Sequence, residues 1–336
     1  MFKNVLQLIF GILTLYIFFY ILFSLYRTQL PDTLDSKRLK ESVCSPRGRT
    51  VENVIQNINY LNSRRKKVII LGASNSRDGF RPKELKEYFP DYEIHNLAVS
   101  AGNITQVIEM VNFMKSSLPS EALENNFFVL GISSGVLTTN EERLWQHGSP
   151  FSNALAKIPN FRVPFLNRFY LQASLPIFCL RAMISNFEFT FNKWAKKPPK
   201  VTNIFRHRSK KVRVLDADKK AKIINRIDTM YAQSETPFLG QLLDINKLNS
   251  IINQIKSRLI IVDLPAPNWF KNASQADREY IRVINNSEFA LALKVNSMRK
   301  DIYEDFAFKD HAHPIPSVTG VWAEQLNKIM RDKNFE

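Results

Sequence analysis

The sequence predicts a three-layer α/β domain built on a parallel sheet, with a helical insert and an N-terminal transmembrane helix. Three observations carry this prediction. Short apolar runs alternate with helical periodicity between residues 67 and 136, the pattern of parallel strands joined by crossover helices. Each of those runs leads into small or hydroxylated residues, reaching Ser74, Gly102 and Ser133 in turn. Residues 5–26 hold no charged side chain, and that length suffices to span a bilayer as a helix.

In chain order, Val5–Tyr26 is the predicted span. The residues at its C-terminal end, Phe23-Ser24-Leu25-Tyr26-Arg27, offer no small-x-small cleavage site, so an uncleaved anchor over 1–27 is expected rather than a signal peptide. Residues 28–66 are polar and read as a stalk with a helix around Val51–Leu61. The run Ser63-Arg64-Arg65-Lys66-Lys67 leads into the first strand. It reads either as a headgroup-binding cluster or as a solvated helix end.

Within the domain, 67–336, strands are expected at Val68–Leu71, Glu93–Leu97 and Phe127–Ile132, with helices at Lys83–Tyr88 and Ile104–Ser116. An insert interrupts the rhythm at about 138–250. Its apolar stretch Val163–Met183 reads as a lid, a membrane-lying helix or a core helical pair. Arg168, Arg181 and Pro176 argue against a second span. Lys193–Arg213 then carries nine Lys or Arg and no acid. The rhythm resumes with a buried strand at Arg258–Leu264, a helix at Asp277–Ser297, a short strand at Tyr303–Phe308 and a closing helix at Val318–Met330. Trp322 is expected in the core.

The residues that carry chemistry lie at the two ends of the domain. Ser74 follows a buried strand in Gly72-Ala73-Ser74-Asn75-Ser76, where open α/β sheets place their ligands. Taken alone it is an ordinary turn serine, because a nucleophile needs a base. Near the far end, Lys309-Asp310-His311-Ala312-His313-Pro314 puts Asp310 three residues before His313. A tight turn at that spacing folds the carboxylate onto one ring nitrogen and leaves the other free to take a proton from Ser74. The neighbouring pair His311 and His313 raises a metal reading, but no further ligand joins them; His147 and His207 lie in the insert.

Together these two motifs resemble the SGNH (GDSL-like) hydrolase family. The resemblance covers about 66–330, apart from the insert, and implies a flavodoxin-like sheet. It implies Ser74 as nucleophile, His313 as base and Asp310 as its orienting acid. Asn96-Leu97-Ala98-Val99-Ser100-Ala101-Gly102 looks like the block that supplies a backbone oxyanion donor, Gly102 or, by strict spacing, Ala101. Gly131-Ile132-Ser133-Ser134 falls where the family has G-x-N-D, with Ser133 in place of the asparagine donor. The implied oxyanion hole is therefore Ser74, Gly102 and Ser133. No cofactor and no metal are implied. The expected activity is that of a serine esterase, or of an O-acyltransferase if an alcohol replaces water. A non-catalytic binding protein on the same fold is the alternative, supported by the missing asparagine.

The totals narrow the setting. Two cysteines, Cys44 and Cys179, exclude a disulfide-rich scaffold and leave one bridge or two free thiols open. A net charge of +16 favours an anionic neighbour such as lipid headgroups or an acidic polymer. No nucleic-acid fold signature accompanies it, so no nucleic-acid partner is expected. Anchor and charge resemble the plan of DltD-like proteins, which implies a cell-envelope glycan, polymer or lipid as substrate and a membrane acyltransferase as partner. Orientation is divided. Lys3 precedes the span while Arg27, Lys37, Arg38 and Lys40 follow it, which places the domain in the cytoplasm by charge count. The resemblance implies the periplasm or cell exterior.

Overall fold

The structure is a computed structural model that describes residues 7, 9–15, 17–18, 58–99, 102–137, 215–233, 238–299 and 307–332. Its centre is a five-stranded, wholly parallel sheet in the order β2-β1-β3-β4-β5. The strands are β1 (Lys67–Gly72), β2 (Glu93–Asn96), β3 (Phe127–Ile132), β4 (Arg258–Asp263) and β5 (Asn296–Ser297). This is the doubly wound order in which the chain reverses between β1 and β3, and the crevice there is the usual ligand position.

Alternation along the strands explains the three layers. Ile69, Leu71, Phe128, Leu130 and Ile261 point to one face. There they pack on α3 (Ile104–Ser117), α6 (Leu239–Gln254) and α8 (Gln275–Asn286) through Val107, Val111, Leu242, Ile245, Tyr280 and Ile284. Val68, Ile70, Val129, Ile260 and Val262 point to the other. That face is covered by α2 (Pro82–Tyr88) and α10 (Thr319–Arg331) through Leu85, Trp322, Leu326 and Met330. Strands buried on both faces read as continuous apolar runs, which is how β1 and β3 appear in the sequence. Trp322 is fully buried and meets Phe80 edge-on at 5.7 Å.

Four features differ from the sequence expectation. A short helix α1 (Ser74–Gly79) begins at Ser74 itself, where a turn is expected. It survives its poor helix formers because the surroundings hold it. A Cβ at Gly79 would overlap the Trp322 ring, and one at Gly131 would overlap the Ser76 hydroxyl. The helix expected at Asp277–Ser297 divides into α8, α9 (Glu288–Ala292) and the last strand β5. The Ser287 N–H closes α8 on Val283 O at 2.8 Å, and the Ser287 residue then caps α9. Phe308 does not extend the sheet; it forms an isolated antiparallel bridge with Pro314. Lys67, grouped in the sequence with an exposed basic run, is buried. Its ammonium donates to the carbonyls of Ser63, Arg65 and Ala122 at 2.5, 2.9 and 3.0 Å, and burial lowers its pKa against the opposing effect of Glu93.

Three further α-helices are α4 (Ser120–Leu123), α5 (Ala217–Ala232) and α7 (Asn268–Ala273), and short 3-10 turns lie at Ile58–Leu61 and Pro316–Val318. Helix α6 lies within or just beyond the stretch read as an insert, yet Leu242, Ile245, Leu248 and Ile252 bury it in the main core as a crossover between β3 and β4. The described residues between 7 and 18 are helical and exposed, and no helix among the described residues is long and apolar enough to cross a membrane. Most of Val5–Tyr26 lies outside the described residues, as do 51–57, Ala101, Val163–Met183, Lys193–Arg213, Tyr303 and both cysteines.

Candidate active site

Parallel pairing brings the ends of β1 and β3 together. Gly72 stands opposite Gly131, so two residues further along both chains come Ser74 and Ser133. Gly72 adopts φ 122°, a region open to glycine and strained for other residues. The chain turns there into Ala73, the N-cap of α1, and Ser74 is the first helical residue. Its N–H therefore has no acceptor within the helix.

The C-terminal loop meets this turn from the other side. The Ser74 hydroxyl lies 2.7 Å from His313 Nε2. His313 Nδ1 lies 2.8 Å from both carboxylate oxygens of Asp310. The carboxylate also accepts the N–H groups of Ala312 and His313 at 2.9 and 3.0 Å, a turn that the three-residue spacing makes possible. Burial alone would raise the Asp310 carboxyl. The His313 hydrogen bond, the charges of His313 and His311 and the Ala312 N–H outweigh it, and hold it well below the usual carboxylate range. An ionised Asp310 accepts the Nδ1 proton, which leaves the Nε2 lone pair for the Ser74 hydroxyl.

The expected oxyanion residues divide. Ser133 stands beside the segment that carries Ser74, and its hydroxyl accepts from Asn75 Nδ2 at 3.0 Å. Gly102 does not offer the expected donor: its N–H is directed to Val99 O at 3.2 Å. A Cβ at Gly102 would come within 3.1 Å of the Gly72 carbonyl oxygen, and the next residue, Asn103, caps α3 by accepting from Gln106 N. His311 lies with Nδ1 3.8 Å from Asp310 Oδ1 and its ring 5.1 Å from the Phe270 ring. Burial lowers its pKa to about 4, against the opposing pull of Asp310. Among the described residues, no three His, Cys, Asp or Glu side chains converge as metal ligands. Arg77, three residues after Ser74, is buried and pairs with Asp78 at 3.3 Å.

Three supporting features are not apparent from the sequence motifs. Asn96, at the end of β2, donates to Phe80 O at 2.5 Å and Arg77 O at 3.3 Å and accepts from Ala98 N, tying α1 to the sheet. Its signal is an amide at the end of a buried strand. Asn75 is buried, with Oδ1 accepting the Ser76 N–H at 2.9 Å. Beyond β4, Arg299 forms a bidentate pair with Asp277 at 2.8 and 3.0 Å and reaches Asp263 at 2.9 Å. Tyr280 donates to Asp263 at 2.7 Å and Ser134 to Asp277 at 3.5 Å, so this network buttresses the residue after Ser133. No protein-family model matches the chain, and no curated protein matches it.

Proposed function

We propose that the chain is an SGNH-type, membrane-anchored serine esterase or O-acyltransferase acting on an acylated cell-envelope glycan, polymer or lipid. The observation that carries this reading is the connected arrangement Ser74 Oγ–His313 Nε2 and His313 Nδ1–Asp310, at the reversal point of the sheet.

The reaction is acyl transfer. Ser74 Oγ attacks the ester carbonyl carbon while its proton passes to His313 Nε2. The carbonyl oxygen becomes an oxyanion, held by the Ser74 N–H and the Ser133 hydroxyl. Collapse breaks the ester C–O bond, and the departing alkoxide takes the proton from His313. Water, or a sugar or polyol hydroxyl, then gives its proton to His313 as its oxygen bonds the acyl carbon; the acyl C–Oγ bond breaks, and Ser74 Oγ takes the proton back from His313. Asp310 keeps the ring in the productive tautomer and stabilises the imidazolium.

The uncharged stretch Val5–Tyr26 supports a single N-terminal anchor. The basic segment at residues 193–213 supports an anionic polymer or headgroup layer as neighbour, and a membrane acyltransferase supplying the acyl group is the matching partner. The domain faces the periplasm or exterior in this reading. Labelling of Cys44 or Cys179 by an impermeant maleimide on intact cells agrees with that orientation, and labelling only after lysis overturns it.

The direct test is fluorophosphonate labelling of the detergent-solubilised full chain beside Ser74→Ala and His313→Ala. Wild type labels and both variants do not. An unlabelled wild type, in a reaction where a known serine esterase labels, removes the enzyme reading. The Gly102 N–H turned to Val99 favours the second reading in that case, a membrane-tethered binding protein that retains the fold.

A further inference from the structure

We infer that Asn75 is a positioning residue that aims the Ser133 hydroxyl proton at the reacting carbonyl oxygen. This rests on the acyl-transfer reading of Ser74. Four observations converge. Asn75 is only 4% exposed. Its Oδ1 is held by the Ser76 N–H at 2.9 Å, which fixes which end of the amide is which. The other end, Nδ2, donates to Ser133 Oγ at 3.0 Å. Ser133 is itself pinned, because its carbonyl accepts from Val136 N and Leu137 N at 2.9 and 3.2 Å.

A serine hydroxyl carries one proton and two lone pairs. Asn75 occupies a lone pair, so the proton of Ser133 is directed elsewhere. It meets no protein acceptor among the described residues. The β1–β3 pairing ends with Gly72 opposite Gly131, two residues before each serine, and Asn75, the residue after Ser74, reaches Ser133 Oγ at 3.0 Å. A carbonyl bonded to Ser74 Oγ therefore develops its charge beside a hydroxyl whose proton is unclaimed. The chain of donors runs Ser76 N–H to Asn75, Asn75 to Ser133, and Ser133 to the oxyanion. Each bond in such a chain polarises the next. With Gly102 N–H committed to Val99, Ser133 carries more of the oxyanion than a donor in a fuller hole. An oriented donor stabilises the transition state without reorganisation at the moment of reaction.

The test is a double-mutant cycle on the full chain in detergent, with an aryl acetate as the probe substrate. Ser133→Ala lowers kcat about 10²-fold, the scale of one lost oxyanion donor. Asn75→Ala lowers kcat about tenfold, as an oriented donor becomes an unoriented one. KM stays within about twofold in both, because the oxyanion forms only in the transition state. In the Ser133→Ala background, Asn75→Ala has no further effect, the non-additivity of residues acting in series. Asn75→Asp loses at least as much as Ser133→Ala, since a carboxylate only accepts and draws the Ser133 proton to itself. Wild-type kcat in Asn75→Ala or Ser133→Ala overturns the inference. So does an equal loss from Asn75→Ala in both backgrounds, which assigns Asn75 to stability alone. Should Asn75→Ala not fold, the near-isosteric Asn75→Asp decides, and wild-type kcat there overturns it. An inactive, unlabelled wild type overturns the acyl-transfer reading and this inference together; an active wild type without coupling overturns this inference alone.

Discussion

At the scale of single residues, Asp310 does two things that separate by experiment. It holds His313 from below through Nδ1 and braces its own turn through two backbone N–H groups. Asp310→Asn keeps the shape but favours the wrong imidazole tautomer. It lowers kcat by about 10⁴-fold, measured on the same aryl ester, and a loss under tenfold refutes Asp310 as the orienting acid. The pH dependence has a defined sign. The folded carboxyl is held below its ordinary value, so its contribution to stability is fully present above about pH 4. That contribution is lost as pH falls through the folded value. The gap in Tm between wild type and Asp310→Asn therefore narrows on acidification below about pH 4. The oxyanion side is built differently. There, Ser133 depends on a partner 58 residues away in sequence, and no local spacing announces that dependence.

At the scale of elements, α1 is the piece on which Ser74, the proposed nucleophile, stands, and it is held from outside. Asn96 grips its carbonyls and Trp322 lies against Gly79. Gly79→Ala forces the Trp322 ring away and costs about 1–3 kcal/mol, as overpacking does. Thermal unfolding checks this, and an unchanged Tm shows that the contact yields freely. The same helix shows where sequence reading stops. Ser-Asn-Ser-Arg-Asp-Gly is a turn by composition, and its helix is held by contacts from Asn96, Gly131 and Trp322, all distant in the chain. By contrast β1, β3 and β4 were legible because strands buried on both sides must be apolar throughout. Asp310 and His313 were legible because a three-residue spacing closes on itself. The strand β5 is two residues long, too short to carry any period, and Asp277–Ser297 therefore read as one helix. Gly102 followed from position in a motif, whereas the direction of its N–H depends on the turn at Val99.

At the scale of the whole molecule, the two apolar layers meet a charged seam at the C-terminal end of β4. Arg299 lies between Asp263 and Asp277 with little exposure of any of the three. Burial raises the Asp263 carboxyl and Arg299 opposes that rise. Arg299→Met leaves two buried carboxylates without their cation and costs about 3–5 kcal/mol. Unfolding in detergent reads this directly, and a loss within about 0.5 kcal/mol of zero, the range of an ordinary surface change, refutes the seam as a structural element. Buried charges follow no periodicity, and this network joins residues 22 and 36 positions apart, so its members were not distinguishable in the sequence from surface charge.

The separation of Ser74 and His313 by 239 residues gives the site a clock. During synthesis, the serine emerges long before the imidazole that contacts it exists. At about 5–20 residues per second, the interval is on the order of 10–50 s. Through that time the hydroxyl has the ordinary reactivity of an alcohol, and the growing chain passes its surroundings chemically silent. Any chain that ends short of residue 313 carries Ser74 without the imidazole that contacts it.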